Sequence, residues 1–220
     1  MKLTKTTVNT ILKNFAGINS NLLIKKGSKL STISAQKNIV AEVTVEDKFP
    51  VDFGIYDLNE FLGILSLFED PEVEFTEKFV TIKQGDTAVK YTAAEQNVLA
   101  FPSKSITFPD PDVEFTLSAS DLDMIIKTSS VLRVADLAIT GDGEEITLVV
   151  GDKKNATGNT FTSNVGATDK VFKIFLKVEN LKMVPGEYSV QISSKKISKF
   201  EATDSDLVYF VAVESDSTFG

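Results

Sequence analysis

The chain has 220 residues, enough for one large core or two small ones, and a net charge of −8 from 23 basic and 31 acidic residues. It holds no Cys, His or Trp, which excludes disulfides, thiolate metal sites, thiol nucleophiles and an imidazole general base. Arg133 is the only arginine, so the remaining 22 basic residues are lysines: they can hold phosphates as point charges but lack the bidentate guanidinium that reads guanine edges.

In chain order, the first predicted element is a helix over residues 4–15. At 100° per residue Val8, Ile11, Leu12 and Phe15 share one arc, and Lys2, Lys5, Thr6, Asn9 and Lys13 share the opposite one. Lys and Asn interrupt the apolar pattern, so this stretch does not read as a signal peptide. No apolar run approaches the ~20 residues needed to span a bilayer, and a soluble, cytoplasmic protein without membrane contact is expected. Alternating or β-branched segments then predict strands at 22–26, 29–34, 39–45 and 51–56. A second helix is predicted over 57–68, with Asp57 and Glu60 at the spacing of a cap and its partner and Gly63 placed to admit a neighbouring backbone. Strands follow at 73–76, 79–83 and 87–93.

Residues 97–112 (NVLAFPSKSITFPDPD) carry three of the six prolines and read as an extended connector. The predicted domains are 1–100 and 113–220, with 101–112 between them. The pattern resumes with a strand at 113–117. A third helix starts at Ser120, capped by Ser120 and Asp123 and burying Leu122, Ile125, Ile126 and Ser129. Strands at 137–140, 145–150, 159–165 and 170–178 lead to a short helix over 179–183. Strands at 188–193, 197–202 and 207–214 close the chain.

The order repeats. Val8, Ile11, Leu12, Lys13 and Ile18 answer Leu122, Ile125, Ile126, Lys127 and Leu132 at an offset of 114 residues, and 55–58 answers 178–181 at an offset of 123. A loop insertion in one copy accounts for the drift. Two copies of about 100 residues imply two similar α+β domains, each an antiparallel sheet with two helices on one face. Such a chain presents a repeated surface rather than one catalytic cleft. No glycine-rich phosphate loop or paired metal-carboxylate motif supports an enzyme. Asp110, Asp112 and Glu114 cluster on the proline-rich connector, a poor platform for a hydrolase.

Three segments carry a family resemblance: LKNFAGINS at 12–20, IYDLNEFLGILSL at 55–67 and VAVESDSTF at 211–219. With them the chain resembles the sliding clamps, or DNA polymerase processivity factors, of T4-like bacteriophages. The resemblance implies the DNA-clamp fold, assembly into a closed homotrimeric ring, and no enzymatic activity, metal or cofactor. It implies partners as well: duplex DNA held topologically, the phage DNA polymerase, the clamp loader, and RNA polymerase with its late-transcription factors. A ring tethers without tight or sequence-specific contact, so lysines on inner helices suffice for an acidic protein. On this reading Lys2, Lys5, Asn9, Lys13, Lys127 and Lys182 face DNA; the plain alternative is a solvated helix face, and Asp123 shares a face with Lys127. Leu99, Phe101, Ile106 and Phe108, with Val211, Val213 and Phe219, are candidates for a partner-peptide groove, or for ordinary packing of the connector. Val89 and Tyr91 are expected near Val171, Phe172 or Phe175 of a neighbouring subunit. A non-enzymatic structural β-rich phage protein is the alternative.

Overall fold

The computed structural model describes residues 1–155 and 157–220. The chain divides into two compact units, residues 1–105 and 106–220.

The first unit opens with a helix, here α1, that is π-helical over Thr7–Leu12 and α-helical over Lys13–Ile18. Its start is fixed by Asp47, a buried carboxylate that accepts from the Thr4 backbone N–H at 3.1 Å and the Thr4 hydroxyl at 2.9 Å; a buried charge needs such partners. Ile11, Leu12, Phe15 and Ile18 are buried, as the periodicity predicts. Strands β1 (Leu22–Ile24), β2 (Gly27–Ile33), β3 (Ile39–Phe49) and β4 (Phe53–Ile55) follow. β1 pairs antiparallel with β4, and β2 with β3. Helix α2 (Leu58–Ser66) is capped by Asp57, whose side chain accepts from the backbone N–H groups of Asn59 and Glu60 at 2.9 and 3.1 Å. A meander of β5 (Glu72–Phe75), β6 (Phe79–Gln84) and β7 (Thr87–Thr92) ends the sheet work of this unit. Four of the 16 phenylalanines go into one aromatic cluster: Phe49, Phe53, Phe61 and Tyr91 stack edge-on or tilted around one another and Phe75, with centroids 5.4 to 6.5 Å apart.

The second unit consists of β8 (Val113–Leu117), α3 (Ala119–Leu132), β9 (Asp136–Asp142), β10 (Glu145–Gly151), β11 (Phe161–Ala167), β12 (Val171–Lys177), β13 (Tyr188–Ser193), β14 (Ile197–Ala202), β15 (Val208–Ala212) and a two-residue strand β16 (Thr218–Phe219). One sheet runs β11-β10-β9-β12-β16; in the other, β8 pairs with β13, β13 with β14 and β14 with β15.

The duplication holds element by element. α1 and α3 end at Ile18 and Leu132, 114 residues apart. The β1–β4 pair answers β9–β12, the β2–β3 hairpin answers β10–β11, and the meander β5-β6-β7 answers β13-β14-β15. Even Met1 has a counterpart: it exchanges backbone hydrogen bonds with Val73 at 2.7 and 2.8 Å, as β8 pairs with β13.

Four expectations need correction. α3 is capped by Ser118, not Ser120: the Ser118 hydroxyl oxygen accepts from the Asp121 N–H at 3.1 Å. In this frame Leu122 and Ile125 are buried, while Ile126 is 41% exposed and Ser129 only half-buried. The second helix of the second unit is a single 3-10 turn, Val178–Asn180. Only residues 178–187 separate β12 from β13, against 56–71 between β4 and β5, and ten residues that include a Pro-Gly turn leave no room for a helix like α2. Two buried tyrosines hold this shorter segment. Tyr188 donates to the Val184 carbonyl at 2.5 Å, and Tyr209 accepts from its N–H at 3.0 Å. Gly63 brings no backbone close, since a Cβ there would meet nothing within 4 Å. The glycine required by close approach is Gly54, where a Cβ would strike the Ala94 carbonyl and Leu99.

Candidate functional site

The outward arc of α1 carries basic side chains. Lys5, Asn9 and Lys13 are exposed, one turn apart. Four residues overshoot a full turn by about 40° in an ordinary α-helix. The wider π-helical turns over Thr7–Leu12 reduce that overshoot, so these three side chains stand closer to a straight row. Among the described residues neither Lys5 nor Lys13 has a carboxylate partner.

The other lysines expected beside them differ. Lys2 is ion-paired with Asp70, whose hydrogen bond and charge raise the lysine's pKa. Lys127 pairs with Asp123 at 2.6 Å one turn away on α3, and with Asp121 also on it that helix offers no net positive charge. Its outward residues include Met124, Ile126 and Val131, at 43%, 41% and 79% exposure. Lys182 is exposed just beyond the 3-10 turn. The sequence arc was legible; the cancellation of Lys2 was not, because Asp70 lies 68 residues away.

α1 and α2 flank a cleft of about 500 Å³. Val8, Leu62, Gly63 and Leu65 line it with Lys5 and Lys13 from α1 and with Glu69 and Asp70.

The expected peptide-groove residues separate into two groups. In the first unit Leu99 is buried against Gly54, and Phe101 is half-buried with the Lys25 ammonium 5.6 Å from its ring. Asn19 and Asn21 tie the neighbouring Ala100 backbone, at 3.2 and 2.9 Å. In the second unit Ile106 and Phe108 are half-buried, and Phe108 lies 6.4 Å from Phe210. Phe210 was missed by the sequence reading, although it sits in the alternating run of β15. Val211 and Val213 are buried and already used in packing. Phe219 lies elsewhere, paired with Phe172 across the β12–β16 bridge and beneath Lys196.

The expected interface residues are likewise distributed. Val89 is half-buried on β7. Tyr91 is buried within its own unit, its hydroxyl donating to the Asp57 carbonyl at 3.3 Å, and burial raises its pKa. Val171 is 62% exposed, but Phe172 and Phe175 are buried in their own unit, and β12 has β9 on one side and β16 on the other. Among the described residues β7 ends the meander opposite β5, and β11 ends the second unit's five-stranded sheet opposite the two-residue β16. Edge status is a property of the assembled sheet, so it left no local mark in the sequence.

Two of the three clustered carboxylates, Asp112 and Glu114, are held by hydrogen bonds. Asp112 accepts from the Ser194 N–H at 2.6 Å, which holds its pKa below the usual carboxylate range, and Glu114 accepts from Gln191 at 2.6 Å. No group of three His, Cys, Asp or Glu among the described residues could hold a metal ion.

Comparison with known proteins gives a consistent result. Residues 4–103 match the family model described as DNA polymerase processivity factor, and residues 114–215 match gp45 sliding clamp, C terminal. The chain is 36% identical to the sliding clamp of Vibrio phage KVP40, over 98% of this chain and all of that one. It is 34% identical to the sliding clamp of Escherichia phage RB69, over 99% of each. The A. fulgidus PCNA solved with the C-terminal region of FEN-1 superposes with a TM-score of 0.71 at 11% identity, covering 99% of this chain and 98% of that one.

Proposed function

The chain belongs to the sliding-clamp family of DNA polymerase processivity factors, and on that premise we propose that three copies close into a ring around duplex DNA. The observation that carries this reading is that β7 ends a sheet of three strands in the first unit and β11 ends a sheet of five in the second, each with one side unpaired among the described residues. An edge strand presents unpaired N–H and C=O groups. When the two open edges of a chain are different strands, head-to-tail pairing is heterologous and makes a ring if the rotation closes. Val89 lies on the first edge, and Val165 in the second half of β11 is the residue we place opposite it, in preference to the inward Phe172 and Phe175. Val171 is exposed at the start of β12 and borders the contact.

Within the ring, α1 supplies the phosphate contacts through Lys5 and Lys13, with Asn9 between them. Lys2 and Lys127 contribute less because their charges are compensated in place; Lys182 is a secondary contact. The acidic remainder of the chain repels DNA from other surfaces. The protein acts by topology and carries out no chemistry. It tethers the DNA polymerase, is opened by the clamp loader, and serves RNA polymerase and its late-transcription factors, all in the host cytoplasm. No helix among the described residues is long and apolar enough to cross a membrane.

The A. fulgidus PCNA holds a segment of a partner, and the same mode suits exchangeable partners here. In the second unit we assign half-buried Phe108, packed on the buried Phe210, to a peptide groove with Ile106.

Light scattering tests the assembly. A mass of about 72 kDa, three times 24.0 kDa, is expected. Replacing Val89 by Glu should shift that mass toward one chain while circular dichroism stays unchanged. A wild-type monomer or dimer at micromolar concentration would refute the ring.

A further inference from the structure

We propose that the cleft between α1 and α2 is a docking site for an acidic partner segment with apolar anchors, used when no duplex occupies the ring. Three features of the cleft converge on that chemistry. Its floor is apolar, from Val8, Leu62 and Leu65, in a space of about 500 Å³. Its α1 rim carries Lys5 and Lys13, two exposed cations without a carboxylate partner among the described residues. At the far end Glu69 and Asp70 approach, but Asp70 is already paired with Lys2. The third feature is Gly63. It sits inside α2, is exposed, and has open space where a Cβ would stand. Glycine weakens a helix interior, and nothing among the described residues packs close enough to require it. Its effect is to keep the cleft open on the α2 side.

The matching ligand places apolar side chains between the helices and carboxylates against Lys5 and Lys13. An amphipathic segment with anchors at i, i+3, i+4 and i+7 does both. A duplex does not, because it presents phosphates on a rigid rod and has no apolar groups to insert into a cleft of this size. Occupancy stands on the cleft itself. Competition with duplex rests on the proposed DNA face, since Lys5 and Lys13 belong to both.

The test uses the full chain and a fluorescein-labelled peptide of about 14 residues, with leucines at the anchor spacing and glutamates on both flanks. Its control has lysines in place of the glutamates. Saturable binding of the acidic peptide is expected, weakened roughly tenfold or more by Gly63→Leu, which fills the cleft, and by Lys5→Glu. Circular dichroism checks that both variants fold. Absence of saturable binding, equal binding of the lysine peptide, or wild-type affinity in folded Gly63→Leu would overturn the proposal. So would an equal loss of duplex binding in Gly63→Leu, which would make the cleft part of the DNA contact. If peptide and duplex bind together without competing, the claim that the site is used only in an empty ring is overturned, and with it the assignment of Lys5 and Lys13 to DNA, while peptide binding at the cleft is not.

Discussion

Replacing Lys5 and Lys13 by Ala should flatten the salt dependence of DNA binding, whereas removing the Asp123–Lys127 pair should leave it alone. Each lysine–phosphate contact contributes about 0.9 to the slope of log affinity against log salt. Two uncompensated lysines per chain therefore give a slope near 1.8, about a 12-fold loss as salt rises fourfold. The double variant should abolish that share. The control, Lys127→Ala with Asp123→Ala, deletes a pair whose members are 68% and 53% exposed and 2.6 Å apart. It removes no net charge, and such surface pairs contribute only about 0.2–1 kcal/mol to stability. Fluorescence anisotropy with a short duplex across a salt series reads the slopes, and thermal melting confirms that both variants fold. A double variant with the wild-type slope, or a control that loses as much, would refute the assignment of α1 as the phosphate-contacting face.

Three further outcomes follow from the packing. Gly63→Ala should raise stability by about 0.8–1.0 kcal/mol, since the position is an exposed helix interior with room for the methyl group; an unchanged or lower melting temperature would contradict this. Thr32 is 1% exposed and its hydroxyl finds no hydrogen-bond partner among the described residues, so Thr32→Val should stabilise by about 1 kcal/mol, seen as a higher urea midpoint at constant slope. Burial pushes the Tyr209 phenol up to about 12 and raises Tyr188 as well. Because the folded state favours the protonated phenols, their contribution is complete below the ordinary tyrosine value of about 10 and is lost as pH rises through the native values. Tyrosinate absorbance should therefore rise together with loss of the circular dichroism signal, and ionisation of all four tyrosines in a still-folded chain would contradict it.

The sheets were legible because alternation is a local signal. β13 and β14 run over the residues their patterns predict, 188–193 and 197–202, between the Pro185-Gly186 turn and the polar stretch at 203–206. Other features depended on competition or distance. Two overlapping caps, Ser118 with Asp121 and Ser120 with Asp123, were both available to α3. The one that forms also lets Asp121 accept from Ser163 at 2.8 Å, tying the helix to β11. The strand β16 is two residues long and has no alternation to detect; it forms because the tail is held by long-range bonds, such as the Phe175 N–H to the Ser217 hydroxyl at 2.9 Å. For the candidate site, the lysine arc was readable from helical spacing. Which lysines stay uncompensated, and which strand edges stay open, are settled only when distant residues meet.

The central claim is that the chain holds DNA by encircling it. The direct measurement loads the protein onto a circular duplex with its clamp loader, washes the complex at a salt concentration that screens surface contacts, and then cuts the circle once. Retention on the intact circle and release after the cut are predicted, because a ring slides off a free end. Equal retention on circular and linear DNA, or equal loss from both, would contradict the account.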